Sequence, residues 1–338
     1  MTSQSVKLYR PPTFHLPPFR VVARVQALAE VEDYNVRMMN VHAAWAESEG
    51  EGVKVAILDT GKPNHPDLNI CGAKSFVPKY LDDQNGHSTH CAGIVAAIRN
   101  NGIGVVGIAP KAELYAGAVL DGSGSGQFDA IVAGIYWAVD EVKADIISMS
   151  LGIASGYPTI KELLAACNYA KSKGVTVFCA SGNEYGSVGQ PARYDSVIAI
   201  AAVNNEMEHA DFSNVGPEVD FATGGVDVYS TWLNKSYVKL SGTSMACPAL
   251  AGVGALIIGA HKKKSEILTP DQVYEHIQRI AYNVDSSEFN NVTGHGIPVF
   301  QSDTTGEPVD DNPSIPPVPG PSCTWWQRLL SPITGRKC

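Results

Sequence analysis

Charged side chains are scarce in this chain of 338 residues, and its apolar runs are short. Only 17% of residues are Asp, Glu, Lys or Arg, and the acidic ones outnumber the basic 34 to 25. The resulting net charge of −9 argues against nucleic acid as a partner, because phosphate binding leans on clustered Lys and Arg. No apolar stretch approaches the ~18 residues of a membrane-spanning helix. The longest, Ala249 to Ala260, stops at His261-Lys262-Lys263-Lys264 and reads as a buried core helix, so no membrane partner is expected. Cys-x-x-Cys and His-Glu-x-x-His are both missing, which leaves no zinc signature. The seven cysteines are odd in number and mostly sit inside apolar runs, as buried thiols of a reducing compartment do. Cys323 and Cys338 alone are placed to form a bridge on oxidation. The first 20 residues carry four prolines and no apolar h-region, so no secretory leader is expected and the expected location is cytoplasmic.

Proline and glycine divide the chain. Of 21 prolines, four lie in residues 1–20 and seven beyond residue 301, while 29 of the 32 glycines lie between. Residues 1–22 are expected to be an extended N-terminal segment, since proline fixes φ and biases its predecessor away from helix. Residues 23–300 form the expected main domain. Residues 301–338 read as a solvated Pro-rich linker followed by a tail, Cys323-Thr-Trp-Trp-Gln-Arg-Leu-Leu, too short to bury two tryptophans by itself. Docking on the main domain and binding a partner both fit that tail.

Within the main domain, short β-branched runs alternate with helix-length segments. Residues 53–58, 113–120, 145–150, 175–179 and 197–203 read as strands of nearly continuous apolar character, as expected for strands covered on both faces. Residues 128–142 and 159–173 read as helices, and Thr269-Pro270 opens another with an N-cap and a proline at the first helical position. Such alternation predicts an α/β three-layer sandwich around a mostly parallel sheet, with ligands at the carboxyl ends of the strands.

The loops at those ends carry chemistry. Asp59-Thr60-Gly61 follows the first strand, where the Asp alone is equally a turn cap. Asn85-Gly86-His87-Ser88-Thr89-His90-Cys91-Ala92-Gly93 sets two histidines at a helix entry, compatible alone with a metal pair or with capping. Ser181-Gly182-Asn183 offers an amide donor after another strand. Ser241-Gly242-Thr243-Ser244 leads a serine into the apolar helix, where a glycine turn and free N–H groups favour an exposed nucleophile and an oxyanion. Acyl transfer needs this set together: nucleophile, base, a carboxylate to hold the base, and oxyanion donors.

Asp-Thr-Gly at 59–61, His-x-Thr-His-x-Ala-Gly at 87–93, Ser-Gly-Asn at 181–183 and Gly-Thr-Ser-Met-Ala-x-Pro at 242–248 resemble the motifs of the subtilisin-like serine peptidases, in register from about Val53 to Ala281. The resemblance implies a serine endopeptidase acting on peptides and proteins through an acyl-enzyme. Asp59 would orient the base, His87 would be the base, Ser244 would attack, and Asn183 would serve the oxyanion hole. Ser88 stands where the family usually has glycine and Ala249 where it often has histidine, and neither removes a catalytic group; Ile153 replaces a glycine common beside the family's primary pocket, and a broad apolar preference is expected there. Cys91 resembles the thermitase and proteinase K branches and would lie beside the base. The alternatives are a non-catalytic peptide-binding module on the same fold and a metallohydrolase built on Asp59, His87 and His90.

The resemblance carries further expectations. Peptide would bind as an extra strand between Gly124-Ser125-Gly126 and Ser150-Leu151-Gly152. Asp67, Ile98, Asn101, Ile103 and Val105 match the family's calcium site, through one carboxylate, one amide and loop carbonyls. Leu16-Pro17-Pro18-Phe19 is similar to the inhibitory segment of intracellular subtilisins, which lies across the active site until proteolysis removes it. Those enzymes are typically dimers, so a homodimer is also expected.

Overall fold

The computed structural model describes residues 13–25 and 29–301. The expected linker and Trp-containing tail lie outside the described residues. At the centre are seven parallel strands: Lys54–Asp59, Ile70–Ser75, Glu113–Ala118, Ile146–Met149, Thr176–Ala180, Ile198–Val203 and Phe221–Gly224. Their order across the sheet is 221–224, 198–203, 176–180, 146–149, 54–59, 113–118 and 70–75. Every residue of 146–149, 176–180, 198–203 and 221–224 is buried, which is why the first three read as nearly unbroken apolar runs, whereas Phe221–Gly224 was not among the strands read from the sequence. The edge strand 70–75, with Cys71 and Lys74 exposed, does not.

Register shows which residues face which layer. Ile57 pairs with Ser148, and Ser148 with Phe178, so all three point to one side. Phe178 there meets Gly254 of the helix Thr243–Lys263, while Leu58, pointing the other way, meets Gly134 of the helix Phe128–Trp137. The helices are thus split between the two faces, giving the expected sandwich. The 243–263 helix has the length and mean hydropathy (1.7) of a membrane span, but 94% of its most apolar window is buried within the protein.

Helix boundaries moved where tertiary bonds intervene. The helix expected over 128–142 is α-helical to Trp137 and closes with a wide turn, Ala138–Val142, in which the Lys143 N–H reaches Ala138 O. The helix expected from 159 starts at Lys161, because the Ile160 N–H is taken by Gln190 Oε1 at 2.8 Å. Thr269 caps the helix Pro270–Ile280 as expected, and Gln272 reaches back to the Thr269 N–H to complete a capping box. The N-terminal segment was expected to reach residue 22. That residue falls inside the strand Arg20–Val25, which pairs antiparallel with Ser236–Ser241, so this part of the N-terminal segment is built into the main unit, which ends at Gln301.

Candidate active site

Asp59 ends its strand with its carbonyl held by the N–H groups of Val119 and Leu120 and its carboxylate buried. Both carboxylate oxygens lie 2.9 Å from His87 Nδ1. A carboxylate can only accept, so Nδ1 carries the proton, and Nε2 of the neutral ring is left as the acceptor. Nε2 is buried without a hydrogen-bond partner.

His87 opens the helix His87–Ala96, whose first-turn N–H groups all need acceptors. Asn85 Oδ1 accepts the His87 N–H at 3.3 Å, and Asp83 holds both sides of the entry: its Oδ2 accepts the Thr89 N–H and hydroxyl, and its Oδ1 the N–H groups of Asn85 and Gly86 just ahead of the helix. The Thr60 hydroxyl donates to Asp83 Oδ1 at 2.9 Å and accepts from the Ser88 N–H at 3.1 Å. One buried carboxylate therefore ties the Asp59 loop to the His87 helix. Ser88 adds a second tie through its hydroxyl, which donates to Gly61 O at 2.6 Å. Gly86 is required here: its φ is 101°, and a Cβ would lie 2.6 Å from the Trp232 ring.

Ser244 lies in the first turn of the 243–263 helix. Pro248, four residues on, has no N–H for the Ser244 carbonyl. The Ser150 hydroxyl donates to it instead at 2.9 Å, and Cys91 Sγ lies 3.5 Å away. Ser244 Oγ itself donates to Ser150 O at 3.4 Å. Gly242 was expected to supply turn freedom, yet its backbone is extended. What it provides is room, since a Cβ there would lie 3.0 Å from Asn183 Nδ2. Asn183 Oδ1 accepts from the Thr243 N–H (2.8 Å) and hydroxyl (2.7 Å), which turns Nδ2 outward. Nδ2 donates to the carbonyl of Pro18 at 2.9 Å.

That contact belongs to a larger one. Phe14 and His15 pair antiparallel with Gly126 and Ser125, His15 exchanges both backbone bonds with Gly152 (3.2 and 3.3 Å), and the Leu16 N–H donates to Gly124 O at 2.9 Å. The segment is a strand between 124–126 and 150–152. Phe14 and Pro17 are buried, and the Phe19 ring lies 5.2 Å from that of His87. Ser244, expected to be exposed, is fully covered.

Cys91 Sγ lies 3.8 Å from His87 Nδ1, and burial holds its thiol well above the ordinary range. Among the described residues, Asp59, His87 and Cys91 are the one group of His, Cys, Asp or Glu with ligand atoms close enough to share a metal ion. His90, assigned to the metal alternative, is turned elsewhere. Its Nε2 faces the carbonyls of Val228 and Val238, each at 3.2 Å, and burial pushes its pKa down to about 3.

Away from this centre, Asp67 is fully buried and its oxygens accept from the Asn101 amide (2.6 Å), the Val105 N–H (3.1 Å) and the Tyr237 hydroxyl (3.2 Å), all neutral donors. The Ile98 N–H donates to Asp67 O, and the Ile103 N–H to Asn101 Oδ1. Glu30, which the motifs did not mark, accepts from the Asn101 N–H at 2.9 Å. Asp83 was also overlooked, although an Asp just before a helix entry is a capping signal.

A family model described as the subtilase family matches residues 50–296. Similar proteins include a thermostable alkaline protease of Halalkalibacterium halodurans, 45% identical over 236 residues that cover 69% of this chain and 63% of that protein, under two thirds of its length. Subtilisin Savinase of Lederbergia lenta is 43% identical over 251 residues, covering 73% of this chain and 89% of that protein. An intracellular serine protease of Paenibacillus polymyxa is 42% identical over 258 residues, 72% of this chain and 77% of its own. With the four motifs gathered at one edge of the sheet and the family model spanning the fold that gathers them, this chain belongs to the subtilase family.

Proposed function

We propose that Asp59, His87 and Ser244 carry out peptide hydrolysis in this subtilisin-like serine endopeptidase, with Asn183 as an oxyanion donor. The observation that carries this assignment is a peptide carbonyl, that of Pro18, held by Asn183 at the sheet edge where His87 is clamped to Asp59. Ser244 Oγ attacks a substrate carbonyl as His87 Nε2 takes its proton. Asp59 keeps the ring in the required tautomer and stabilises the imidazolium. The Asn183 amide and the Ser244 N–H bind the oxyanion, and the collapsing intermediate leaves an acyl-enzyme that water hydrolyses. A fluorophosphonate probe should label Ser244 and lose its target in Ser244→Ala. An unlabelled Ser244 in active-looking, folded enzyme would instead favour a peptide-binding module.

The same reading makes residues 13–19 an inhibitory segment and the chain a precursor. Hydrogen-bonded pairs alternate along an antiparallel ladder. His15 pairs with Gly152, so residue 17 falls opposite Ser150, where a substrate would donate its N–H to Ser150 O. Pro17 has none, and the Ser244 hydroxyl turns to that carbonyl in its place. The carbonyl on Asn183 belongs to Pro18, one residue further on. Proline thus diverts the nucleophile from its base, and Phe19 covers the ring. Deleting residues 1–19, which spares the strand Arg20–Val25, should raise the initial rate and abolish any lag. An unchanged initial rate would refute the restraint.

Calcium fits the Asp67 loop as a structural ion. Asp67 is a buried carboxylate bonded only by neutral donors, and Glu30 brings a second carboxylate to the loop. Asp67, the carbonyls of Ile98, Ile103 and Val105, and the Asn101 amide turned over would hold it, giving the oxygen set calcium prefers. At a hundredfold excess over its Kd, calcium should add about 2.7 kcal/mol to stability, read as a rise in Tm that Asp67→Asn removes. A Tm indifferent to both calcium and chelator would count against the site.

A further inference from the structure

Asn183 sits in a loop that has little reason to hold its shape. Residues 181–187 begin and end with pairs of small residues, Ser181-Gly182 and Gly186-Ser187, and Tyr185 adopts φ 49°, left-handed backbone that only surrounding structure can enforce. The enforcing group is Asn214. The residue is 1% exposed. Oδ1 accepts from the Glu184 and Gly186 N–H groups, both at 2.9 Å. Nδ2 faces Ser181 O (3.1 Å), Ser187 O (3.2 Å) and Glu184 Oε2 (2.8 Å), and the Asn214 N–H donates to Gly182 O at 3.0 Å. The loop closes so tightly on this amide that a Cβ on Gly182, where φ is 110°, would lie 2.3 Å from Nδ2. Both neighbours of Asn183 in sequence are therefore bonded to Asn214.

We propose that Asn214 is the positioning residue of the oxyanion donor: it sets where the Asn183 backbone stands, while Thr243 sets which way the Asn183 amide faces. This proposal rests on the peptidase reading above. An oxyanion donor contributes only if it is already in place as charge develops, and a displacement of about 1 Å can cost up to ~10²-fold in rate. Asn214 touches neither the substrate-binding strands nor the triad, so its loss should act on turnover and not on binding.

The test is a double-mutant cycle on the full chain brought to constant activity, with sites counted by fluorophosphonate titration and kcat and KM measured on a peptide anilide. Asn214→Ala should lower kcat about tenfold with KM within about twofold. In an Asn183→Ala background the same change should alter kcat by less than about twofold, because the donor being positioned is gone. Equal fold losses in both backgrounds, a change confined to KM, or no loss would overturn the proposal. Should Asn214→Ala not fold, Asn214→Asp serves in the same cycle. It keeps both acceptor bonds from the Glu184 and Gly186 N–H groups, loses the donors to Ser181 O, Ser187 O and Glu184 Oε2, is paired with Glu184→Gln in both backgrounds so that two carboxylates do not face each other, and is judged by the same non-additivity. Absence of labelling at Ser244 in the parent would overturn the peptidase reading instead.

Discussion

Replacing Ser244 by alanine should lower turnover about 10⁶-fold while leaving peptide affinity and stability almost unchanged. The magnitude is the one known for the nucleophile of subtilisin, a relative of this chain. The physical reason lies in what each group of the site can still do alone. Without Oγ, the His87–Asp59 pair has no proton to receive and no acyl-enzyme can form. Asn183 still binds a carbonyl, which leaves only the small residual rate of an oxyanion hole acting on water. Stability should hold because Oγ makes one long bond, 3.4 Å to Ser150 O, whereas the backbone of Ser244 is anchored separately by the Ser150 hydroxyl. A Ser244→Ala enzyme that hydrolysed peptides within tenfold of the parent would remove serine from the mechanism.

Asp59→Asn should cost about 10⁴-fold in kcat, as the corresponding change does in a serine protease of unrelated fold. Both Asp59 oxygens face His87 Nδ1 at 2.9 Å. An amide placed there can offer its NH2 to the ring, which makes Nδ1 the acceptor and moves the proton to Nε2. A protonated neutral Nε2 cannot take a proton from Ser244. Burial of both side chains denies the pair an alternative solvent partner. Since Asn is nearly isosteric with Asp and the site stays packed, KM should change little, and a loss below about tenfold would argue that Asp59 serves only as a turn cap.

Part of this site was legible from residue order alone, because its motifs are local. Asp59, His87, Asn183 and Ser244 each sit within a few residues of a strand end or a helix start, and strand–helix alternation already implies that such ends share one edge of a parallel sheet. The groove segments were named from the family resemblance, and in the structure residues 14–16 pair with 124–126 and 152. Other parts are non-local and left no mark. Asn214 lies 31 positions beyond Asn183, in a run of ordinary turn residues, and nothing in that run signals that its amide fills the oxyanion loop. The turn freedom expected of Gly242 proved to be space for the Asn183 side chain, which only the approach of two distant segments creates.

The sequence by itself determined the chemistry: which groups are present, that they stand at strand ends, and that proline occupies the segment laid across them. Periodicity and turn residues encode such things over a few positions. Tertiary structure alone decided the geometry that makes the groups act. It joined Asp83 to Thr60 of the Asp59 loop, closed residues 181–187 on Asn214, and set the Ser244 hydroxyl against the carbonyl of Ser150. Each is a hydrogen bond between segments far apart in the chain, satisfied because burial makes an unpaired polar group costly. That requirement acts on the packed fold as a whole, and no short stretch of residues records it.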